Sequence, residues 1–302
     1  MNQPKVSNRE VSARIARLFV YPVKSCAAVE VQEILLTESG PEFDRVWMVV
    51  DVQGAFVTQR DLPRLALVRP QLTADELVLN SPGMRELHIA LDLKNQPVSV
   101  KVWDDEVAAF DMGDQVAQWF TDFLSSPENS SQAHDRNTYR LVRFDPAYRR
   151  ISNLKWTDGV RAHNQFNDGF PLLLLGEASH AQLNERLVAA GHASVVIERF
   201  RPNVVLSGLQ PHEEDQLGVM HVDAGSMEIL LKPVKPCPRC PIPNVDPLTA
   251  RSSPEVGDTL QSYRQDARLD GAVTFGMNAI VLHGIGSTLR VGQAVSADFN
   301  FD

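Results

Sequence analysis

Apolar residues along the chain fall mostly in short runs set apart by Gly, Pro, Asn and Asp, and only twice in longer periodic stretches. The runs Arg17–Val20, Val46–Val52, Leu77–Leu79, Val98–Val102, Leu172–Leu175, Val204–Leu206, Ile229–Leu231 and Ala279–Leu282 are rich in Val, Leu and Ile, which predicts strands. Two segments carry a helical period. In Asp114–Ser125, Val116, Trp119, Phe120, Phe123 and Leu124 fall at i, i+3, i+4, i+7 and i+8, one apolar stripe. In Glu177–Ala190, Leu183 and Leu187 repeat at i+4, and Gly191 is placed to end the helix. No internal repeat or heptad pattern interrupts this β-rich reading.

Ser125–Thr138 holds Ser125, Ser126, Pro127, Asn129, Ser130 and Ser131 without apolar periodicity, so it reads as a linker. A division there gives a smaller N-terminal domain, residues 13–130, and a β-rich C-terminal domain, residues 135–302. A chain of 302 residues has room for two domains of ordinary size.

Composition narrows the function classes. Hydrophobic residues make up 43% and charged residues 22%, normal for a protein with packed cores. The 29 Lys+Arg against 38 Asp+Glu leave a net charge of −9, which argues against nucleic acid or an anionic membrane as a constitutive partner. An acidic protein that takes an anionic ligand must gather its basic side chains locally. The polar start, Met1–Ser12, lacks the apolar core of a signal peptide, and no run reaches the roughly 18–20 apolar residues of a membrane span. Three cysteines cannot form a disulfide framework, so a reducing, cytoplasmic setting is the expectation. The acidic run His212–Asp215 reads as a solvated loop, and Arg143, Arg149 and Arg150 as a charged surface that could serve for docking.

The chemistry concentrates in Lys235–Pro247, K-P-C-P-R-C-P-I-P-N-V-D-P. Three readings of Cys237 and Cys240 compete. A structural zinc site needs four ligands, but Cys26 is the only other cysteine and the histidines lack H-x₃₋₅-H spacing. A redox pair would set its first cysteine at a helix N-terminus, where the macrodipole lowers its pKa, yet Pro241 and Pro243 oppose a helix. The third reading is a proline-stiffened loop presenting one thiolate to a soft metal. The prolines restrict the unfolded chain, and Lys235 and Arg239 would stabilise the thiolate and any nearby anion. These residues do not by themselves name the metal.

Beyond this loop, ordered blocks over residues 13–298 resemble the MOSC superfamily. They are L-F-V-Y-P-V-K-S-C-A-A-V at Leu18–Val29, F-D-R-V at Phe43–Val46 and V-T-Q-R at Val57–Arg60, then F-N-D-G-F-P-L-L-L at Phe166–Leu174, F-R-P-N at Phe200–Asn203, K-P-C-x-R-C with V-D-P, and F-G-M-N at Phe275–Asn278. The resemblance extends to the mitochondrial amidoxime-reducing components and their bacterial counterparts. It implies an α+β, β-rich fold: a β-barrel MOSC domain packed against a smaller MOSC N-terminal β-rich domain with a few helices. It implies a molybdenum cofactor in the pyranopterin (molybdopterin) form and reduction of small N-hydroxylated compounds by two-electron oxo transfer. The runner-up is a non-catalytic cofactor carrier or sulfur-handling module.

Carried onto this chain, the resemblance makes Cys240 the molybdenum ligand and catalytic residue. Lys24, Ser25, Arg45, Arg201 and Asn203 would hold the pterin and its phosphate; Arg239 joins them as a cofactor-binding candidate from its place beside the cysteines. Asp168, Gly169 and Phe170 would line the same pocket. Asp246, outside the resemblance, has two readings: assistance to proton delivery, or an Asp before Pro that serves a turn. Cys237 would be structural and Cys26 a small buried residue. Relatives usually carry two threonines where Pro243 and Asn244 stand, so substrate choice is expected to differ. Some bacterial relatives append a ferredoxin-like domain, which this sequence lacks. The expectation is therefore that electrons come from a separate flavin, haem or iron–sulfur protein; a monomer is the separate expectation for its assembly.

Overall fold

The computed structural model describes residues 11–125, 138–225 and 227–301, so residues 126–137 of the expected linker lie outside the described residues, as does the N-terminal stretch before Val11. Seven strands close a barrel: β1 (Val11–Val20), β2 (Leu172–Gly176), β3 (Val204–Ser207), β4 (Leu217–Asp223), β5 (Glu228–Pro238), β6 (Ala272–His283) and β7 (Ala294–Phe299). They pair in the order β2-β3-β1-β7-β4-β5-β6, and β6 returns to pair with β2. Three α-helices lie among the described residues: α1 (Asp114–Leu124), α2 (Glu177–Ala189) and α3 (Glu255–Gln261).

Alternation builds the barrel interior. In β1, Val11, Ala13 and Ile15 are buried while Ser12 and Arg14 are exposed. The inward set joins Leu172, Leu174, Val204, Leu206, Met220, Ile229, Leu231 and Val295 in one core. Among the described barrel strands, only β2 and β3 pair in parallel. A parallel pair needs a crossover, which α2 supplies on the outside of the barrel. Leu183 and Leu187 of α2 pack there with Phe19, Leu175, Phe200 and Phe275.

The proline-rich strand β5 would break an ordinary central strand, since proline cannot donate to the ladder. Here only Glu228–Leu231 of β5 pairs with β4. From Pro233 onward the strand pairs with β6 alone, through register shifts between Pro233 and Lys235 and between Pro236 and Pro238. The prolines thus fall at bulges on a one-sided stretch, and that stretch ends at the cysteines. The C-x-x-C pair sits at a strand end followed by a single 3₁₀ turn, Ile242–Asn244, and not at a helix N-terminus.

The second body is an antiparallel sheet ordered Trp47–Val50, Arg140–Phe144, Asp105–Asp111, Gln96–Val102, with a three-stranded sheet of Arg69–Leu72, Glu76–Asn80 and Leu87–Ala90. Helix α1 buries Val116, Trp119, Phe120, Phe123 and Leu124 against it, the stripe read from the sequence. Full burial of such side chains contributes roughly 1.5–3 kcal/mol each. The two halves are interlaced. β1, from the first half, runs in the barrel between β3 and β7. Arg140–Phe144, from beyond the linker, completes the other sheet.

Two surface expectations are corrected. His212–Asp215 is not a solvated loop: Glu214 is fully buried, its carboxylate accepts the Gly176 N–H and the Ser179 hydroxyl, and so it caps α2 from outside the helix. Asp215 pairs with Arg264. Arg150 is buried rather than part of a surface patch, bonded to Asp105 and to the Gln165 and Asn167 carbonyls.

Candidate functional site

The end of β1, the segments entering β2 and β3, and the proline-rich end of β5 converge on one cavity. Lys24, Ser25, Arg45, Asp168, Gly169, Phe170, Arg201, Asn203, Arg239 and Cys240 all line it. Asp246 does not. Its Oδ1 accepts the backbone N–H groups of Leu248 and Thr249, and its Oδ2 pairs with Arg199 at 3.1 Å, the placement of a turn residue. The same wall adds Arg60 and Arg199, so six cationic side chains face one lining carboxylate, Asp168, in a chain of net charge −9. This is the local concentration of positive charge that an anionic ligand requires.

Local backbone geometry shows that the position is specified. Of nine non-glycine residues with positive φ among the described residues, Ser25 (65°), Arg45 (53°), Trp103 (55°) and Arg201 (59°) line this cavity. Each costs on the order of 1 kcal/mol and persists only where its surroundings over-determine it.

The Arg45 turn and the segment from Arg201 to Asn203 are fixed by Asp44, a residue without a role in the sequence reading. It is fully buried, and its carboxylate accepts the Tyr21 N–H at 2.9 Å, Arg45 Nη1 at 2.6 and 2.7 Å, Asn203 Nδ2 at 3.0 Å and Asn167 Nδ2 at 3.1 Å. Asn203 spends its own amide on Asp44, the Phe19 carbonyl, Arg45 and the Leu173 N–H. It lines the cavity but spends its amide on positioning the arginines. The Tyr21 ring, also unassigned beforehand, lies between the guanidinium groups of Arg45 and Arg201, 4.3 and 4.2 Å from its centroid.

The cations are incompletely neutralised. Arg201 donates to the Cys26 carbonyl at 2.6 Å, but its buried Nη2 has no partner. Burial, with repulsion from Arg45 added, pushes the Arg201 guanidinium down to about 10. Its folded pKa thus lies below the unfolded value near 12.5. The unfolded chain binds more protons between those values, so charged Arg201 destabilises the fold below about pH 10 until an anion joins it. Lys24 is buried and pushed down by desolvation, opposed by Asp168 at 2.7 Å; it also donates to the Phe166 carbonyl. Desolvation would raise Asp168, but Lys24 and the indole N–H of Trp103 outweigh it and hold the carboxyl below its usual range. The donor set, with an orphaned buried guanidinium nitrogen, fits the phosphate of a pterin cofactor. Inorganic pyrophosphate at about a hundred times its Kd should raise the unfolding midpoint of cofactor-free protein by on the order of 5 °C. Arg201→Ala should remove that rise, and chloride at equal ionic strength should not reproduce it.

The sulfurs divide by environment. Cys26 is fully buried, and burial pushes its thiol up to about 12, leaving it inert. Burial also raises Cys237, whose sulfur lies along the Pro238 carbonyl. Cys240 is the exposed thiol. Its loop is locked by two of the lining arginines: Arg239 donates to the Phe200 and Phe275 carbonyls, each at 2.9 Å, and Arg199 to those of Pro243 and Asn244. Pro243 lines the cavity, while the Asn244 side chain turns away to accept the Gly257 N–H at the start of α3. Among the described residues no three His, Cys, Asp or Glu side chains gather into a metal cluster, so a closed zinc site is not assembled.

Residues 12–127 match the MOSC N-terminal beta barrel domain and residues 161–296 the MOSC domain. The chain is 35% identical over 294 residues to mitochondrial amidoxime-reducing component 1 of Homo sapiens, covering 93% of this chain and 82% of that one. It is 35% identical over 299 residues to mitochondrial amidoxime reducing component 2 of Rattus norvegicus, with the same coverage. A 29% match over 282 residues to molybdenum cofactor sulfurase of Danio rerio covers 88% of this chain but 32% of that protein. No helix among the described residues is long and apolar enough to cross a membrane.

Proposed function

This chain belongs to the MOSC family that joins a MOSC N-terminal domain to a MOSC domain and includes the amidoxime-reducing components, and on that premise we propose that it is a molybdenum-dependent reductase of small N-hydroxylated compounds. One observation carries the reading: the exposed Cys240 thiol stands on the wall of a cavity lined by Lys24, Arg45, Arg60, Arg199, Arg201 and Arg239. Bound there, a pyranopterin molybdenum centre would supply two-electron oxo transfer, in which an N–O bond takes two electrons and two protons to leave N–H and water.

The protein's own part is binding and orientation. Cys240 would ligate the metal, its direction fixed by the hydrogen bonds that Arg239 and Arg199 make to the loop and its neighbours. Arg201 and Arg45 would grip the phosphate, with Lys24 as a point charge released from Asp168. The backbone of Asp168–Phe170 would close the pocket side. Asp246 takes no proton role here, because its carboxylate is spent on Arg199 and its own turn. Electrons would come from a separate one-electron donor protein.

The match to a molybdenum cofactor sulfurase favours one rival, a carrier that binds the cofactor without turning over. Protein purified from a molybdenum-replete host should hold close to one molybdenum per chain. After dithionite reduction it should convert about one equivalent of an amidoxime to amidine in a single turnover. Bound molybdenum without conversion would establish the carrier, and absence of molybdenum would end both readings.

A further inference from the structure

Trp103 breaks the local rules of its own turn. It is the first residue of the two-residue loop joining strands Gln96–Val102 and Asp105–Asp111, with Val102 paired to Asp105. Its φ of 55° is a conformation that hairpin loops assign to Gly or Asn. Its side chain, the largest available, is 46% exposed. Strain and an exposed indole at one position together call for a compensating use.

The ring is held in place rather than loose. Its Nε1–H donates to Asp168 Oδ1 at 3.2 Å, the oxygen that also takes Lys24. Phe56 packs against it with centroids 5.0 Å apart, and the Arg60 guanidinium lies 4.7 Å from its centroid. With Arg60 and Phe56 packed on the ring, the residue still keeps 46% of its surface exposed. Trp103 lines both the inner basic cavity and an adjoining outer cavity of about 630 Å³, and Cys240 lines both as well. That volume lies in the ordinary range for small-ligand pockets.

We infer that Trp103 is a specificity-determining platform on which the flat, delocalised body of a substrate stacks while its N–O end faces Cys240. The inference rests on the reductase reading for the identity of the reacting group, but the platform itself is a binding claim. A fixed ring anchored by Asp168 and Arg60 loses little freedom when a second ring covers it, so stacking adds affinity. Compounds too small to reach from Cys240 to the indole gain nothing from it.

The experiment uses cofactor-loaded protein, with molybdenum content measured for every variant. Benzamidine, which has a flat body and no N–O bond, is titrated calorimetrically. Trp103→Ala should weaken its binding about tenfold and Trp103→Phe less than threefold, at unchanged molybdenum content. In turnover, Trp103→Ala should raise KM for N-hydroxylated benzamidine about tenfold with little change in kcat, a loss at least fivefold larger than the same variant shows with hydroxylamine. If the protein reduces neither compound yet benzamidine binding still depends on Trp103, the reductase reading falls and the platform stands. Benzamidine that does not bind the wild-type protein, equal binding by wild type and Trp103→Ala, or a loss that tracks molybdenum content would overturn the platform.

Discussion

Cys240→Ala protein should be isolated with little or no molybdenum and should reduce N-hydroxylated substrates at least a thousandfold more slowly than wild type. Altering groups that only orient a ligand typically costs 10–100-fold in metal affinity or activity. Deleting the ligand atom itself should exceed that range. Specificity between the two cysteines is the sharper part. Both cysteines line the cavity, but Cys240 is exposed whereas Cys237 is half-buried in the last residues of β5, where burial holds it toward its neutral thiol. Cys237→Ala should therefore retain metal and lose no more than about tenfold in rate. Metal analysis and steady-state rates on both variants check this. A Cys240→Ala protein with wild-type metal and rate, or a reversal in which Cys237→Ala is the dead variant, would remove the thiolate from the mechanism. Thermal midpoints separate chemistry from folding. Cys240 is exposed, so its substitution should leave the midpoint of cofactor-free protein within about 2 °C.

How far this site was legible in the sequence depends on the reach of each interaction. The α1 stripe and the β1 alternation were readable, because a local period of 3.6 or 2 suffices to define a face. Strand β5 read as only Ile229–Leu231, since its prolines hide a strand paired on one side through bulges, a tertiary fact. Helix α3, two turns with only Val256 and Leu260 buried, is too short to show a period at all. The interlacing of β1 and Arg140–Phe144 across the expected division has no local signature either.

At the site, Cys240 and the basic residues were found through motif order, and the cavity brings ten of the eleven candidates together. The exception, Asp246, allows a turn reading and a proton-delivery reading in the sequence; its contacts are those of the turn, and nothing local reveals that Arg199, 47 residues away, takes its carboxylate. Trp103 was missed for the opposite reason. Its peculiarity is a positive φ, and no composition or period encodes a backbone angle. Asp44 stood in plain view beside Arg45 in F-D-R-V, but its importance comes from four donors on separate segments. That convergence is visible only once the chain is folded.

Asp44 accordingly carries the second large effect expected. Asp44→Ala removes the buried carboxylate shared by the end of β1, the Arg45 turn, the Asn167 loop and the entry to β3. Breaking one side of a buried ion pair typically costs 3–5 kcal/mol, because the surviving charge stays buried without compensation. For a protein of this size that lowers the unfolding midpoint by on the order of 10 °C. Cofactor loading should fall with it, since Arg45 and Arg201 would then repel each other across Tyr21 with no fixed anion between them. Two readouts distinguish this electrostatic role from damage by a cavity alone. In the double variant Asp44→Ala, Arg45→Ala the cost should be smaller than the sum of the single costs, by about 1 kcal/mol or more, because removing Arg45 relieves the charge that Asp44 had balanced. The second readout is pH. Arg201 already sits at about 10 in the folded protein, and loss of Asp44 pushes it lower still. The unfolded chain then binds the extra proton, so raising the pH from 8 to 10 should stabilise Asp44→Ala relative to wild type and narrow the gap between them. A gap that stays constant over that window, with strictly additive variants and full molybdenum content, would reduce Asp44 to an ordinary core residue and leave the strained arginines without their organising charge.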